Sequence, residues 1–227
     1  MSADGQRCRK GLVALGDSIT VGEGSMTLGV TPLSWAQWLA RALDLPYTSY
    51  AVNGAMAADV LHEQLARVRL HYDVGALYVG ANDARSPAFD PGAYERDLDA
   101  IAARLSERCE RLLLLTLPED LGRPTCSPKP AAANEAVHRV ATRRAATVAD
   151  LADFAGWTLV LPDAVHPTPL GQLEIADRAA RALGTAMLPS SLVADRRGHD
   201  ARYAPAHARA LARDLLRRAR ERALPPR

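Results

Sequence analysis

Short uninterrupted apolar runs alternate along the chain with longer segments in which apolar residues return every three or four positions. The first run, residues 11–15, is Leu-Val-Ala-Leu behind a glycine and reads as a strand buried on both faces. Residues 47–52, 74–79, 112–117 and 147–151 read as further strands, with polar residues interrupting all but the second of these. Helical periodicity fills the intervals at 33–43, 57–70, 93–109, 131–146 and 170–183. Strands alternating with helices of this length predict βαβ units, and so a parallel sheet between helical layers: a three-layer α/β fold. In such sheets the ligand crevice lies beyond the carboxyl ends of the strands.

Polar segments fall at those ends. Gly16-Asp17-Ser18 follows the first strand, Asn53-Gly54 the second, and Gly80-Ala81-Asn82-Asp83 the third. A fourth, Leu161-Pro162-Asp163-Ala164-Val165-His166-Pro167, precedes the last helical stretch. Pro167 biases His166 toward extended backbone, so Asp163 and His166 are expected on a loop. Thr168 then fits an N-cap and Pro169 the first helical position.

These residues supply what acyl transfer needs. A serine hydroxyl is a weak nucleophile until a base accepts its proton, and His166 suits that role for Ser18. Asp163 can accept from the other ring nitrogen and stabilise the imidazolium. Donors for a tetrahedral oxyanion are the backbone N–H of Ser18, the backbone N–H of Gly54 and the side-chain amide of Asn82. Singly, each segment has an ordinary explanation as a turn or a cap. Their shared position at strand ends does not. Asp17 and Asp83 are read as holding loops by hydrogen bonds rather than reacting.

The four segments resemble, in order and spacing, the sequence blocks of the SGNH hydrolases, or GDSL esterase/lipase family, over roughly residues 11–183. The resemblance implies a flavodoxin-like sheet of order 2-1-3-4-5. It also implies a Ser18–His166–Asp163 triad, an oxyanion hole from Ser18, Gly54 and Asn82, no metal and no cofactor. The partner it implies is a small-molecule acyl ester. Alpha/beta-hydrolases place their serine in Gly-x-Ser-x-Gly, whereas the residue two after Ser18 is Thr20. The expected activity is hydrolysis of a small or medium acyl ester. Acyl transfer or thioester hydrolysis by the same triad is the alternative, and a non-catalytic carbohydrate- or lipid-binding module a more distant one.

Composition narrows the partners. With 28 basic and 26 acidic residues the charge is nearly balanced, so nothing demands a nucleic acid or an anionic membrane. Lysine occurs only at 10 and 129, so the abundant arginine reads as compositional bias. Cys8, Cys109 and Cys126 are odd in number and irregularly spaced, which fits reduced thiols. His62, His71, His138, His199 and His207 show no metal-ligand spacing and are expected mostly to face solvent. Residues 1–10 are polar, and the apolar run behind them is too short for a signal peptide. The expected location is the cytoplasm.

Substrate choice is expected in the loops around the catalytic edge: 23–32, which is glycine-rich and expected to be mobile, 85–91, 118–130 and 154–161. Trp157 in the last can face substrate, while Trp35 and Trp38 are expected in the core. The domain division is 1–188 for the catalytic unit and 189–227 for a linker and an arginine-rich helix. Residues 184–194, astride that boundary, read as the linker. Ala208, Leu211, Ala212, Leu215, Ala219 and Ala223 recur beyond at helical spacing, and this stripe is expected to dock on the catalytic unit or on a second subunit.

Overall fold

A computed structural model describes residues 10–22 and 30–193, together with Ala204, Pro205, Ala208, Arg209, Ala212, Leu215 and Leu216 of the tail. Most of the glycine-rich segment at 23–32, Cys8, His199, His207 and most of the C-terminal stripe lie outside the described residues. The described tail positions are helical and exposed.

Five strands pair in parallel in the order β2-β1-β3-β4-β5. They are β1 (Leu12–Gly16), β2 (Tyr47–Ser49), β3 (Tyr72–Tyr78), β4 (Cys109–Leu115) and β5 (Thr147–Ala149). This is the three-layer α/β arrangement and the order that the resemblance implied. Central β1 is buried along its whole length, which is why it carries no polar alternation. β3 starts two residues before the apolar run and β4 three before it. Glu110 and Arg111 at the start of β4 are exposed, so hydrophobicity does not mark them as strand. Edge strand β2 leaves the ladder at Ser49, although Tyr50 and Val52 still donate N–H bonds to Ala14 and Gly16 of β1.

The helices form two layers. On one side α2 (Trp35–Ala42) packs against α7 (Pro169–Ala182), and on the other α5 (Pro91–Ser106) packs against α6 (Lys129–Arg144). Pro91 and Pro169 occupy first helical positions behind the side-chain caps Asp90 and Thr168. Trp35 and Trp38 are both buried. The pattern missed two short helices, α1 (Ser18–Val21) and α4 (Ala81–Arg85). Both are too short to show periodicity. The stretch read as one helix over 57–70 is a single α-helical turn, α3 (Ala57–Asp59), then a wide π turn over Val60–Gln64 and a 3-10 turn over Leu65–Arg67. The segment read as a linker includes a 3-10 turn, Pro189–Leu192, packed on α7 and α2. There the buried carboxylate of Asp177 accepts the N–H of Ser190 at 2.8 Å.

Three buried side-chain amides tie this frame to the carboxyl edge of the sheet. Gln64 accepts the Gly16 N–H at 3.0 Å and donates to the Gly16 carbonyl at 2.8 Å. Gln172 of α7 accepts the Trp35 N–H at 2.8 Å and donates to the Ile19 carbonyl at 2.9 Å. Asn134 of α6 does the same for the N–H and carbonyl of Leu117, at 2.6 and 2.8 Å.

Replacing Gln64 by leucine leaves the buried Gly16 N–H unpaired, at about 1–3 kcal/mol, while the Gly16 carbonyl keeps the Val52 N–H. The expected result is a loss of roughly 1–3 kcal/mol and a Tm lower by about 3–10 °C, read by calorimetry. A Tm within 2 °C of the parent contradicts the clamp.

Candidate active site

Ser18 follows the turn from β1 into α1. Gly16 has φ of 149°, and a Cβ there would lie 2.1 Å from the Tyr78 carbonyl, so only glycine lets β1 and β3 run this close. Asp17 caps α1, accepting the Ile19 N–H at 2.9 Å. Ser18 is the first residue of that helix, so its N–H is a donor without an intrahelical acceptor.

Asp163 and His166 sit on a narrow loop between β5 and α7. Thr168 donates its N–H to the Leu159 carbonyl, Leu161 donates to the His166 carbonyl, and Val160 bridges Pro167 antiparallel. Asp163 Oδ1 accepts the N–H groups of Val165 and His166 at 2.9 and 3.1 Å. Its other oxygen lies 2.7 Å from His166 Nδ1, and His166 Nε2 lies 3.0 Å from Ser18 Oγ. An ionised carboxylate only accepts, so Nδ1 carries the ring proton and Nε2 is left to accept from the serine hydroxyl.

Electrostatics favours that state. Burial works against ionisation of Asp163, but the His166 ring and the two N–H donors outweigh it and hold the carboxyl at about 2. The Asp163 hydrogen bond raises the His166 pKa above its ordinary 6.5, against the opposing pull of burial. Asp17 differs: burial pushes it up to about 7, partly offset by the Ile19 N–H. Burial also lifts Asp83 to about 6, and both its oxygens accept the Ala57 N–H at 3.2 Å. Asp17 and Asp83 are thus loop-holding residues, as the sequence suggested.

Gly54 lies in a turn closed by the Ala55 N–H on the Val52 carbonyl, with φ of 80° and open space where a Cβ would stand. Its left-handed backbone, not crowding, calls for glycine. Asn82, on the first turn of α4, donates to the Ala55 carbonyl at 3.0 Å and so joins the second and third polar segments. That bond uses one amide hydrogen and leaves the other for a ligand. Ser18, His166 and Asp163 thus form one hydrogen-bonded chain, and Asn82 is bound to the residue next to Gly54.

Beside the Asp163–His166 loop is a cavity of about 210 Å³, lined by Tyr78, by Pro118, Asp120 and Arg123, by residues 154–157 and by Leu161, Pro162 and Val165 among others. Neither Ser18 nor His166 lines it. Two of the loops expected to govern substrate choice, 118–130 and 154–161, do. Trp157 is half-exposed there. His62, His71 and His138 face solvent. Among the described residues no cluster of His, Cys, Asp or Glu has metal-binding geometry. No helix there is long and apolar enough to cross a membrane.

Sequence reasoning missed Gln64, Gln172 and Asn134. Their signal was available: each is a lone amide on the apolar stripe of a helical segment. Gly171 was also missed. A Cβ there would stand 2.0 Å from the Leu159 carbonyl, so α7 presses directly on the loop that bears Asp163 and His166.

Two outcomes follow from this geometry. A base must be neutral to act, so the acid limb of kcat/KM should have an apparent pKa above 6.5 and move down in Asp163→Asn, as read from a pH–rate profile. A limb that moves up in that variant contradicts the assignment. Gly171→Ala should displace the triad loop and cut kcat at least tenfold with a lowered Tm, whereas an unchanged kcat shows that the loop is insensitive to α7.

Comparison with known proteins agrees with this architecture. The profile of the GDSL-like Lipase/Acylhydrolase family matches residues 14–173. No curated protein sequence matches the chain. Among solved structures, the alpha/beta hydrolase enzyme LAE5 from the metagenome of Lake Arreo, Spain, is similar, with a TM-score of 0.63 and 21% identity over 78% of this chain and 96% of that one. A variant of Axe2, an acetyl xylan esterase from Geobacillus stearothermophilus, matches with a TM-score of 0.60 and 18% identity over 76% of this chain and 94% of its own. TesA matches with a TM-score of 0.58 and 20% identity over 76% and 97% of the two chains. At these identities the structural likenesses speak for the fold, and the family match speaks for the class of chemistry. The chain belongs to the GDSL-like lipase/acylhydrolase family and is a carboxylic ester hydrolase.

Proposed function

We propose that the protein hydrolyses small or medium acyl esters through an acyl-enzyme on Ser18. The observation that carries this reading is the unbroken chain from Ser18 Oγ through His166 to Asp163, with links of 3.0 and 2.7 Å. Ser18 Oγ attacks the ester carbonyl as its proton passes to His166 Nε2, and Asp163 stabilises the imidazolium. The oxyanion is held by the N–H groups of Ser18 and Gly54 and by the free amide hydrogen of Asn82. Collapse breaks the bond to the alcohol oxygen, which leaves with the proton from His166. Water, deprotonated by the same nitrogen, then attacks the acyl-enzyme, and expulsion of Ser18 Oγ regenerates the free serine.

The cavity beside the triad loop supports a substrate of modest size. An apolar cavity of about 150 Å³ takes a benzene ring, so the 210 Å³ here suits a ring or a short chain. The free thiols Cys109 and Cys126 fit a cytoplasmic place of action.

The test is a fluorophosphonate probe together with nitrophenyl esters of graded chain length. Wild type should label and turn over. Ser18→Ala should do neither, with kcat lower by on the order of 10⁴- to 10⁶-fold. Asn82→Ala should lower kcat by roughly 100- to 1000-fold with little change in KM. Labelling of Ser18→Ala, or wild-type turnover by it, defeats the mechanism. No labelling of either protein favours a binding module.

A further inference from the structure

Arg85 ends α4, three residues after Asn82, which puts the two side chains on one helix face with Cβ atoms about 5–6 Å apart. Its stem leans on the loop after β4: a Cβ at Gly122 would stand 3.9 Å from Arg85 Cγ. Gly122 is tied in turn to the triad loop, donating its N–H to the Ala164 carbonyl at 2.9 Å. Arg85 therefore stands at the end of α4 beside the turn at Gly122, which bonds the Asp163–His166 loop and is flanked by the cavity-lining Asp120 and Arg123. Its charge is felt at His166, where it works against protonation of the ring.

The neighbouring cations are committed. Arg123 makes two 2.7 Å bonds to Asp120, and Lys129 donates to the Ser86 carbonyl at 2.7 Å. On the far helices Arg139, Arg143 and Arg144 are spent on Glu95 and Asp99. Arg85 is exposed and has no carboxylate partner among the described residues. A planar fork of donors held one helical turn from the oxyanion asparagine matches a carboxylate or phosphate.

Building on the esterase reading, we infer that Arg85 is a specificity-determining residue that selects esters carrying an anionic group a few atoms from the scissile carbonyl. The anion pairs with the guanidinium while the carbonyl lies between Ser18 and Asn82. Part of the binding energy is then spent on orienting the reacting group.

The test uses two matched ester pairs, each differing in one charge. Monoethyl glutarate against ethyl valerate places the anion on the acyl side. The acetate ester of 4-hydroxybenzoate against phenyl acetate places it on the alcohol side. The readout is the ratio of kcat/KM for the charged ester to that for the neutral one, taken on the alkaline plateau so that titration of His166 does not enter. In at least one pair Arg85→Ala should lower this ratio at least tenfold, Arg85→Glu should lower it further, and Arg85→Lys should fall between Ala and wild type. Added salt should lower the ratio in wild type and not in Arg85→Ala. A purely structural role at the end of α4 would move both members of a pair together. Ratios unchanged by all three substitutions overturn the inference while leaving the esterase reading intact. Absence of any Ser18-dependent hydrolysis of the neutral esters overturns the esterase reading, and the inference with it.

Discussion

Strand pairing ends at the carboxyl edge of the sheet, but burial does not. Gly16, Ile19 and Leu117 have backbone groups in the dry interior beyond the ladder, where an unpaired N–H or carbonyl costs about 1–3 kcal/mol. A side-chain amide offers a donor and an acceptor a short distance apart and can serve both groups of one peptide neighbourhood. Gln64 does this on the residue two before Ser18, and Gln172 donates to the carbonyl of the residue after it while accepting the N–H of Trp35. The first comes from the helical layer containing α5 and the second from α7 on the opposite face. Both layers thus grip the short piece of chain that holds Ser18, and that serine is fixed by the core rather than by its own loop. The wide turn at Val60–Gln64 belongs to the same arrangement, since it is the turn that carries Gln64 inward.

The same edge holds three carboxylates whose environments drive them apart. Asp17 is buried and Asp83 partly buried, each with few donors, so desolvation dominates and pushes them up to about 7 and about 6. Asp163 is also partly buried, yet two backbone N–H groups and the His166 ring donate to it, and it stays ionised down to about 2. Only a carboxylate that remains an anion across the working pH range can stabilise an imidazolium formed in mid-reaction. Burial alone would not choose among the three. The donors do, and they are built into the four residues from Asp163 to His166.

Much of this was legible in the chain because central parallel strands leave apolar runs without alternation, and because Thr168 and Pro169 mark the start of α7. The polar segments at the strand ends could be read as one site because βαβ connections bring those ends to one edge. What stayed hidden has physical causes. The start of β4 is exposed and charged, so hydrophobicity cannot see it. α1 and α4 span four and five residues, shorter than the window in which a period shows. The break in the helix after β2 arises from a tertiary demand, the reach of Gln64 to Gly16, and no local propensity announces it. The closeness of Gly171 to Leu159 is likewise a contact between two elements and leaves no trace in either.

Selectivity and chemistry share one wall. The loop from Leu161 to Pro167 carries the hydrogen-bonded Asp163 and His166 and also lines the cavity. It is pinned on one side by Gly122 through Ala164. On the other side Thr168 pins it, bonding its hydroxyl to the Thr158 carbonyl and accepting the Gly171 N–H. A change there to reshape the cavity would shift Asp163 and His166 as well, and a displacement of about 1 Å can cost a hundredfold in rate. The opposite walls, residues 118–121, Arg123 and 154–157, hold neither Ser18, Asp163 nor His166, and the Gly122 bond to Ala164 ties them to that loop. Away from Gly122 they can change size, polarity and reach while those three residues stay in register. Divergence in substrate therefore has an open route through the loops after β4 and β5 and a closed one through the loop before α7.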